Sequence, residues 1–576
     1  MAVAIAQIST EASGLSELTA AFTALLNNPF SVRWTAAAGK YVLLTLLLYP
    51  AGVAYYLADQ QDRRPGEEHG SAKWGSPQEL NQKYQNKQDK SGNQILTQHV
   101  QMGTDVYRHQ RNLNTMVVGG SGAGKTRFFV KPNLMQCDGT NVILDPKGEL
   151  LRDLGGMYEK KFIPVTVLDL VHFRGHYNPL AYVETDEDVI KLAYAIVNNT
   201  KPKDAPSGGD GKFWDDSSVM FISALLLYLV YEAPQDEQNL STLMYMIQNC
   251  KMTEDSGVPN PMEILFQELE EREPLHPAVL QFNSFQLAST KTLQSVLITA
   301  SANLYMFNSP QFAEMTNTDD MLLRDLGLHQ HAVFLVIPDN NDTFNFLITM
   351  VYQQIFDLSF RLADSEPKYK GRVPVRIRLV MDEFANVAVP KNFEKIVAVC
   401  RSRNIVVCII LQSIAQLKAL FKDTWEGIVG NCDSFLYLGG NEFGTMEYLS
   451  KVLGKWTQRT VSHSVGRGSH GSSSDSYQLS ARELATPDEI RMMDRKDALL
   501  LISAEHPIID HKYDLMKHPN IKLTVDGGAE PYVMPSDYMK FAVTLAAQEL
   551  ETLDLDSIPA ELLDKYEFIS LEETHE

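Results

Sequence analysis

The chain has 576 residues, enough for several domains, and 44% of them are hydrophobic, which supplies a sizeable core. A formal net charge of −21 excludes a passive basic coat for nucleic acid, so any nucleic-acid role needs a local basic channel. Five cysteines, Cys137, Cys250, Cys400, Cys408 and Cys432, are scattered without C-x-x-C spacing; this excludes a disulfide framework or zinc knuckle and points to a reduced, cytosolic soluble part.

The first element is apolar. Tyr41 to Leu57 (YVLLTLLLYPAGVAYYL) carries no charge over 17 residues, Ala36 to Ala38 extend it, and Lys40 can snorkel to an interface. Pro50 and Gly52 are tolerated in a membrane helix. The competing reading is a buried core helix. Tyrosines near both ends and the polar DQQDRRPGEEHG that follows favour a membrane helix over about 36–58, within an N-terminal segment 1–62. Its distance from Met1 and the lack of a small-residue cleavage site disfavour a signal peptide. A weaker stretch, Leu18 to Leu26, reads as an interfacial helix or part of a second pass.

From Asn114 the pattern becomes α/β. Short apolar strands are expected at Asn114–Val118, Asn141–Leu144 and Pro164–Leu168, alternating with helices, which implies a parallel sheet. Residues 186–312 then lose the strand signal and show helical periodicity. Strands return at Ala332–Ile337, Ile377–Met381, Ile405–Leu411 and Ser434–Leu438. The simplest arrangement is one α/β nucleotide-binding domain, in two parts at 63–185 and 313–546, interrupted by an all-α insertion at 186–312. Ser462 to Ser476 is low-complexity and is expected to link two flanking strands. After Ala547 the chain carries ten Asp/Glu against one Lys and reads as an acidic tail, 547–576.

The strongest motif is Gly119-Gly120-Ser121-Gly122-Ala123-Gly124-Lys125-Thr126, which fits G-x-x-x-x-G-K-[ST] between an apolar strand and a helix. Backbone N–H groups of such a loop cradle phosphates; Lys125 reaches the β/γ-phosphates and the Thr126 hydroxyl ligates Mg²⁺. A motor of this kind also needs an acidic pair at the end of a neighbouring strand. Arg376–Phe384 (RIRLVMDEF) supplies Asp382 for the Mg²⁺ shell and Glu383 to polarise the water that attacks ATP. Lys125 and Asp382 stand 257 residues apart, far more than a compact RecA-like core needs, and the helical block accounts for the excess. The nucleotide site also fixes membrane orientation, which the Lys and Arg counts on the two flanks leave open, because nucleotide is cytosolic. Arg401, 19 residues after Asp382, reads either as an arginine acting on a neighbour's nucleotide or as part of a solvated helix face. Gln412, at the end of the IVVCIIL strand, reads either as a γ-phosphate sensor or as a strand-terminal polar residue. Asp145-Pro146-Lys147-Gly148 reads as a strand-ending turn, and Phe213-Trp214 as a hydrophobic staple before the next helix.

These segments together resemble the VirD4/TraG family of type IV coupling proteins. The resemblance rests on GGSGAGKT at Gly119, LDPKGEL at Leu144, NPL at Asn178, FWDDS at Phe213, VMDEFAN at Val380, the RSRNI…LQS run at Arg401, GNCDSFLYLGG at Gly430 and HGSAKWG at His69; it covers about residues 69–515. It implies a RecA-like P-loop ATPase domain with an inserted all-α domain and an N-terminal transmembrane helix. The cofactors implied are ATP and Mg²⁺. It also implies a homo-hexameric ring on the cytoplasmic side of the cell membrane. Implied partners are single-stranded DNA, a relaxase with its accessory DNA-processing proteins, and the secretion channel. It places the nucleotide at 119–126, the metal at Thr126 and Asp382, the catalytic acid at Glu383, the sensor at Gln412 and a trans-acting arginine at Arg401. Two departures stand out: one clear membrane span where many members have two, and an acidic net charge, for which Lys201, Lys203 and Lys212 are the candidate pore-facing cations. The competing functions are a substrate receptor that uses ATP as a conformational switch for protein cargo, and an FtsK-like pump of double-stranded DNA.

Overall fold

A computed structural model describes residues 2–11, 14–28, 31–61, 67–199, 210–250, 260–338, 343–386, 389–390, 392–465 and 473–534. The acidic tail, Lys201, Lys203 and the 466–472 stretch lie outside the described residues, as does the Lys212 side chain. The strands, in chain order, are β1 (Asn93–Ile95), β2 (Gln101–Gly103), β3 (Thr115–Val118), β4 (Thr140–Pro146), β5 (Val165–Asp169), β6 (Ala332–Ile337), β7 (Ile377–Met381), β8 (Ile405–Leu411), β9 (Ser434–Tyr437), β10 (Lys455–Val465), β11 (Ser473–Glu483), β12 (Asp497–Ile502) and β13 (Ile508–His511). The chain divides into two compact units, residues 1–73 with 451–484, and 74–450 with the described residues from 485 on.

In the first unit, the helix Ala38–Gln61 has 24 residues, with Leu43, Leu47, Tyr49 and Tyr55 among its exposed apolar side chains. At 1.5 Å per residue it is about 36 Å long, enough for a hydrocarbon layer of about 30 Å. Shorter helices precede it at Ala2–Glu11 and Leu15–Asn27. β10 and β11 pair antiparallel from Lys455↔Glu483 to Val465↔Ser473, so two strands flank the Ser/Gly segment as its composition suggests.

The second unit is built on a nine-stranded sheet in the order β13-β12-β9-β3-β8-β7-β4-β6-β5. From β9 to β5 the strands are parallel; β12 runs antiparallel to both β9 and β13. Every residue of β3, β6, β7 and β8 is buried, which is why β6 and β8 read as continuous apolar runs rather than alternating ones. β13 instead alternates buried and exposed, as suits an edge. β7 carries Arg378, only 1% exposed, whose guanidinium meets Asp138 through two bonds of 2.6 and 3.0 Å. Asp138 precedes β4, so this pair ties β7 to the approach of β4.

Between β5 and β6 lies the helical block, with described helices Asp186–Asn199, Asp210–Glu232, Leu240–Asn249, Pro261–Arg272, Pro277–Gln286, Thr290–Leu304 and Pro310–Asn317. Asn260 and Glu263 form a reciprocal cap with Pro261 at the first helical position, the most favourable local signal for a helix start. Phe266 and Phe282 stack at 4.0 Å and Phe221 and Phe285 meet at 4.6 Å, closing an aromatic core. Phe213–Glu232 is apolar enough to cross a membrane but is more than half buried here, as a core helix should be. Phe213 and Trp214 lie inside the helix Asp210–Glu232, which corrects their reading as a staple in front of it; their rings meet edge-on at 5.2 Å on the helix itself.

Candidate functional site

The sheet register brings four strand ends into a row. Val118 of β3 pairs with Leu411 of β8, Met381 of β7 with Ile409 of β8, and Leu144 of β4 with Met381. The next residues along each strand are therefore the Gly119 loop, Gln412, Asp382 and Asp145. The acidic strand was expected beside the loop strand; the structure corrects this, because β8 runs between β3 and β7. The seven-residue apolar run of β8 is buried throughout and belongs in the sheet's centre. Ligands in open α/β sheets bind at the carboxyl ends of strands where the strand order switches, and β3 is such a point.

The loop Gly119–Thr126 is held by its neighbours. Gly119 N–H donates to Leu411 O (3.1 Å), Gly120 N–H to Gly439 O (2.8 Å) and Ala123 N–H to Gly120 O (3.0 Å). Gly122 and Gly124 have φ of 74° and 84°, a region that favours glycine. A Cβ on Gly124 would also fall 2.4 Å from Cε2 of Phe128. The N–H groups of Gly122 and Gly124 have no acceptor among the described residues. Unpaired donors ahead of a helix N-terminus form an anion site. The helix opens with a wide turn, Thr126–Val130, before Lys131–Leu134. Lys125, 9% exposed, donates from Nζ to Gly119 O at 3.0 Å.

Thr126 Oγ1 donates to Asp382 Oδ2 at 2.8 Å, joining residues 256 positions apart. Asp382 is 5% exposed; burial pushes its carboxyl above the ordinary range, while the Thr126 hydroxyl and the Lys125 ammonium pull it down. Its Oδ1 accepts the Glu383 N–H at 3.1 Å, and Glu383 has φ of 53°, a strained conformation for a non-glycine residue. Asp145, 1% exposed, accepts from Leu150 N–H (3.1 Å) and Leu151 N–H (2.8 Å). Burial pushes its carboxyl up to about 7, opposed by those two N–H groups and reinforced by the charges of Asp382 and Glu149. Two buried carboxyls beside a hydroxyl, disfavoured as free anions, are hard oxygen donors that suit a divalent cation such as Mg²⁺.

These groups line one cleft, with Ser121, Gly122, Gly124, Lys125, Thr126, Asp382, Glu383 and Gln412 all on its wall. Arg401 is elsewhere. It precedes Ile405, at the start of β8, and donates to Gln110 O at 3.3 Å. Seven strand residues at about 3.3 Å each put it roughly 23 Å from Gln412 within one subunit. Arg127, Asp145, Lys147 and Glu149 also line the cleft, although none was expected there. The LDPKGEL segment carried the signal for three of them, but Pro146 and Gly148 made it look like an ordinary turn.

The fold and cleft define the class: a P-loop nucleotide-binding domain of RecA-like architecture with helices inserted between β5 and β6. Residues 73–528 match the family described as Type IV secretory system Conjugative DNA transfer, and the chain belongs to that family. It is 20% identical over 463 residues to Protein VirD4 of Rhizobium radiobacter, covering 77% of this chain and 64% of the relative. It is 24% identical over 477 residues to Conjugal transfer protein TraG of Escherichia coli, covering 74% of this chain and 71% of that one. The chain thus spans 57–64% of the length of the VirD4 relatives it matches. Among solved structures it resembles the bacterial conjugative coupling protein TrwBdeltaN70, with a TM-score of 0.55 and 16% identity over 80% of this chain and 96% of that one. TrwB in complex with ADP and Mg²⁺ gives a TM-score of 0.54 at 16% identity, covering 78% and 95%. At such identity the likeness carries the fold.

Proposed function

We propose that this chain is a membrane-anchored ATPase that couples a DNA-processing nucleoprotein complex to a type IV secretion channel and powers transfer of single-stranded DNA in conjugation. One observation carries the reading: the 2.8 Å bond from Thr126 to Asp382, which closes the phosphate loop onto the acidic strand across the whole helical insertion. In this reading the loop N–H groups and Lys125 bind the phosphates, and Thr126 and Asp382 hold Mg²⁺. The TrwB complexes with ADP and Mg²⁺ and with an ATP analogue support that choice of ligands. Bound there, the cation neutralises phosphate charge. Glu383, held at the end of β7 by its neighbour's carboxylate, orients and deprotonates the attacking water, and Gln412 reads the terminal phosphate from the intervening strand.

The exposed apolar helix Ala38–Gln61 anchors the protein in the cell membrane with the ATPase on the cytoplasmic side. The subunits assemble as a homo-hexamer, in which Arg401 reaches a neighbour's nucleotide, and the 186–312 domain meets the relaxase complex. The test is ATP turnover by detergent-solubilised protein with and without single-stranded DNA. Stimulation that falls with salt and vanishes in Lys125→Ala supports the motor. Turnover indifferent to DNA, with tight binding of protein cargo, replaces it with a receptor.

A further inference from the structure

The phosphate loop is held from outside by a residue almost four hundred positions away. Lys512 follows edge strand β13, and its Nζ donates to the carbonyl of Ala123 at 3.3 Å. The residue is 9% exposed, and its ammonium lies 5.4 Å from the centre of the Phe128 ring. No carboxylate lies within ion-pair distance of it among the described residues; burial holds its pKa below the usual lysine value, opposed by the more distant charges of Asp497 and Asp494. A buried ammonium without a direct ion pair is costly, and an apolar side chain would pack on Phe128 at less expense. What the ammonium supplies here is the bond to the Ala123 carbonyl.

We propose that Lys512 is a positioning residue for nucleotide binding: it pins the Ala123–Gly124 peptide so that the Gly124 N–H faces the phosphates. A trans peptide is planar, with its C=O and N–H pointing in opposite directions. The Ala123 carbonyl turned toward Lys512 sends the Gly124 N–H the other way, and Gly124 lines the cleft. The same hydrogen bond polarises the amide and strengthens that N–H as a donor. Gly124 has φ of 84° and no side chain, and among the described residues no other hydrogen bond reaches the Ala123 C=O or the Gly124 N–H, although the flanking Ala123 N–H and Gly124 C=O are both bonded.

Lys512 is itself fixed on both sides. Its N–H donates to Lys496 O at 2.8 Å. Two residues earlier, Asp510 accepts from Thr97 Oγ1 at 2.6 Å and His99 N–H at 2.9 Å. Downstream, Asn520 Nδ2 donates to Met135 O at 2.6 Å, and Asp526 pairs with Lys131 at 2.5 Å, both on the segment that follows the loop. Residues 510–526 thus strap that segment, with Lys512 where the strap crosses the loop.

The inference rests on the nucleotide reading given above. Its test compares wild type, Lys512→Met and Lys512→Arg as full-length protein, using a fluorescent ATP analogue, steady-state kinetics and thermal melting. Lys512→Met, which keeps the packing on Phe128, should weaken ATP binding about tenfold, raising KM with kcat changed less than about twofold; tenfold corresponds to ~1.4 kcal/mol. Lys512→Arg, which keeps the charge and the donor, should recover binding to within about threefold, and both variants should melt within a few degrees of wild type. Wild-type affinity in Lys512→Met overturns the proposal, and so does equal weakening in Met and Arg. Should Lys512→Met fail to fold, Lys512→Gln against Lys512→Arg decides on the same criteria. A wild-type protein that binds no ATP fails at the nucleotide reading instead.

Discussion

Replacing Asp138 with Asn tests how the acidic strand is held against the cleft. Asp138 is the only carboxylate that meets the Arg378 guanidinium among the described residues, through bonds of 2.6 and 3.0 Å, and it also meets Arg376 at 3.2 Å. The Arg378 side chain is 2% exposed and that of Arg376 15%. Asparagine removes the charge while keeping the volume, which leaves two guanidiniums inside the protein without a counter-ion. Breaking one partner of a buried pair costs roughly 3–5 kcal/mol, a large part of a domain's ~5–15 kcal/mol stability. Arg378→Met is milder: Asp138 keeps Arg376, and the methionine fills most of the vacated volume, so about 1–3 kcal/mol is expected. Denaturant unfolding of the full-length protein, with and without saturating ADP and Mg²⁺, reads both values. A loss below about 1 kcal/mol for Asp138→Asn, or a larger loss for Arg378→Met than for Asp138→Asn, would refute the argument that this carboxylate is what makes the buried arginines tolerable.

Other outcomes follow from the same geometry. Glu383→Gln should bind ATP with near-wild-type affinity and hydrolyse it about 10²–10⁴-fold more slowly, as loss of a general base requires; full turnover would move the base elsewhere. Arg401→Ala should be inactive in a homogeneous ring yet regain turnover when mixed with Lys125→Ala subunits, since each supplies what the other lacks; no recovery at any mixing ratio argues against action in trans. His518, 2% exposed, is held at about 4 by burial, with the Lys161 charge adding. The unfolded chain therefore takes up this proton first as pH falls, and the folded state loses ~3 kcal/mol between about pH 6.5 and pH 4. His518→Gln should remove that part of the acid sensitivity, read as a smaller drop in unfolding free energy between pH 7 and pH 4.5 than in wild type.

Much of the nucleotide-binding sheet was legible because its strands are buried on both faces. Runs such as IVVCIIL and AVFLVI have no polar residue to confuse the period, and the structure has strands at all seven expected places. β12 and β13 were not legible: DALLLI is too short to separate a strand from a helix by periodicity, and an edge strand carries a weaker pattern. The glycine loop announced itself by spacing alone. The order of strands did not, since nothing in the run at 405–411 says that it inserts between β3 and β7. Asp145 looked like a turn residue because its burial and its nearness to Asp382 arise only when β4 and β7 pair. Lys512 carried no local signal at all; its contact with Ala123 spans 389 positions and exists only through the fold.

The central claim is that one metal–nucleotide site forms where the loop at 119–126 meets the end of β7. Anomalous diffraction from crystals of the protein grown with ADP and Mn²⁺ tests it most directly. The claim predicts a single strong Mn²⁺ peak beside the β-phosphate, within coordination distance of Thr126 Oγ1 and in direct or water-bridged contact with Asp382. A metal and nucleotide bound away from both residues, or bound unchanged in Lys125→Ala and Asp382→Asn, would contradict it.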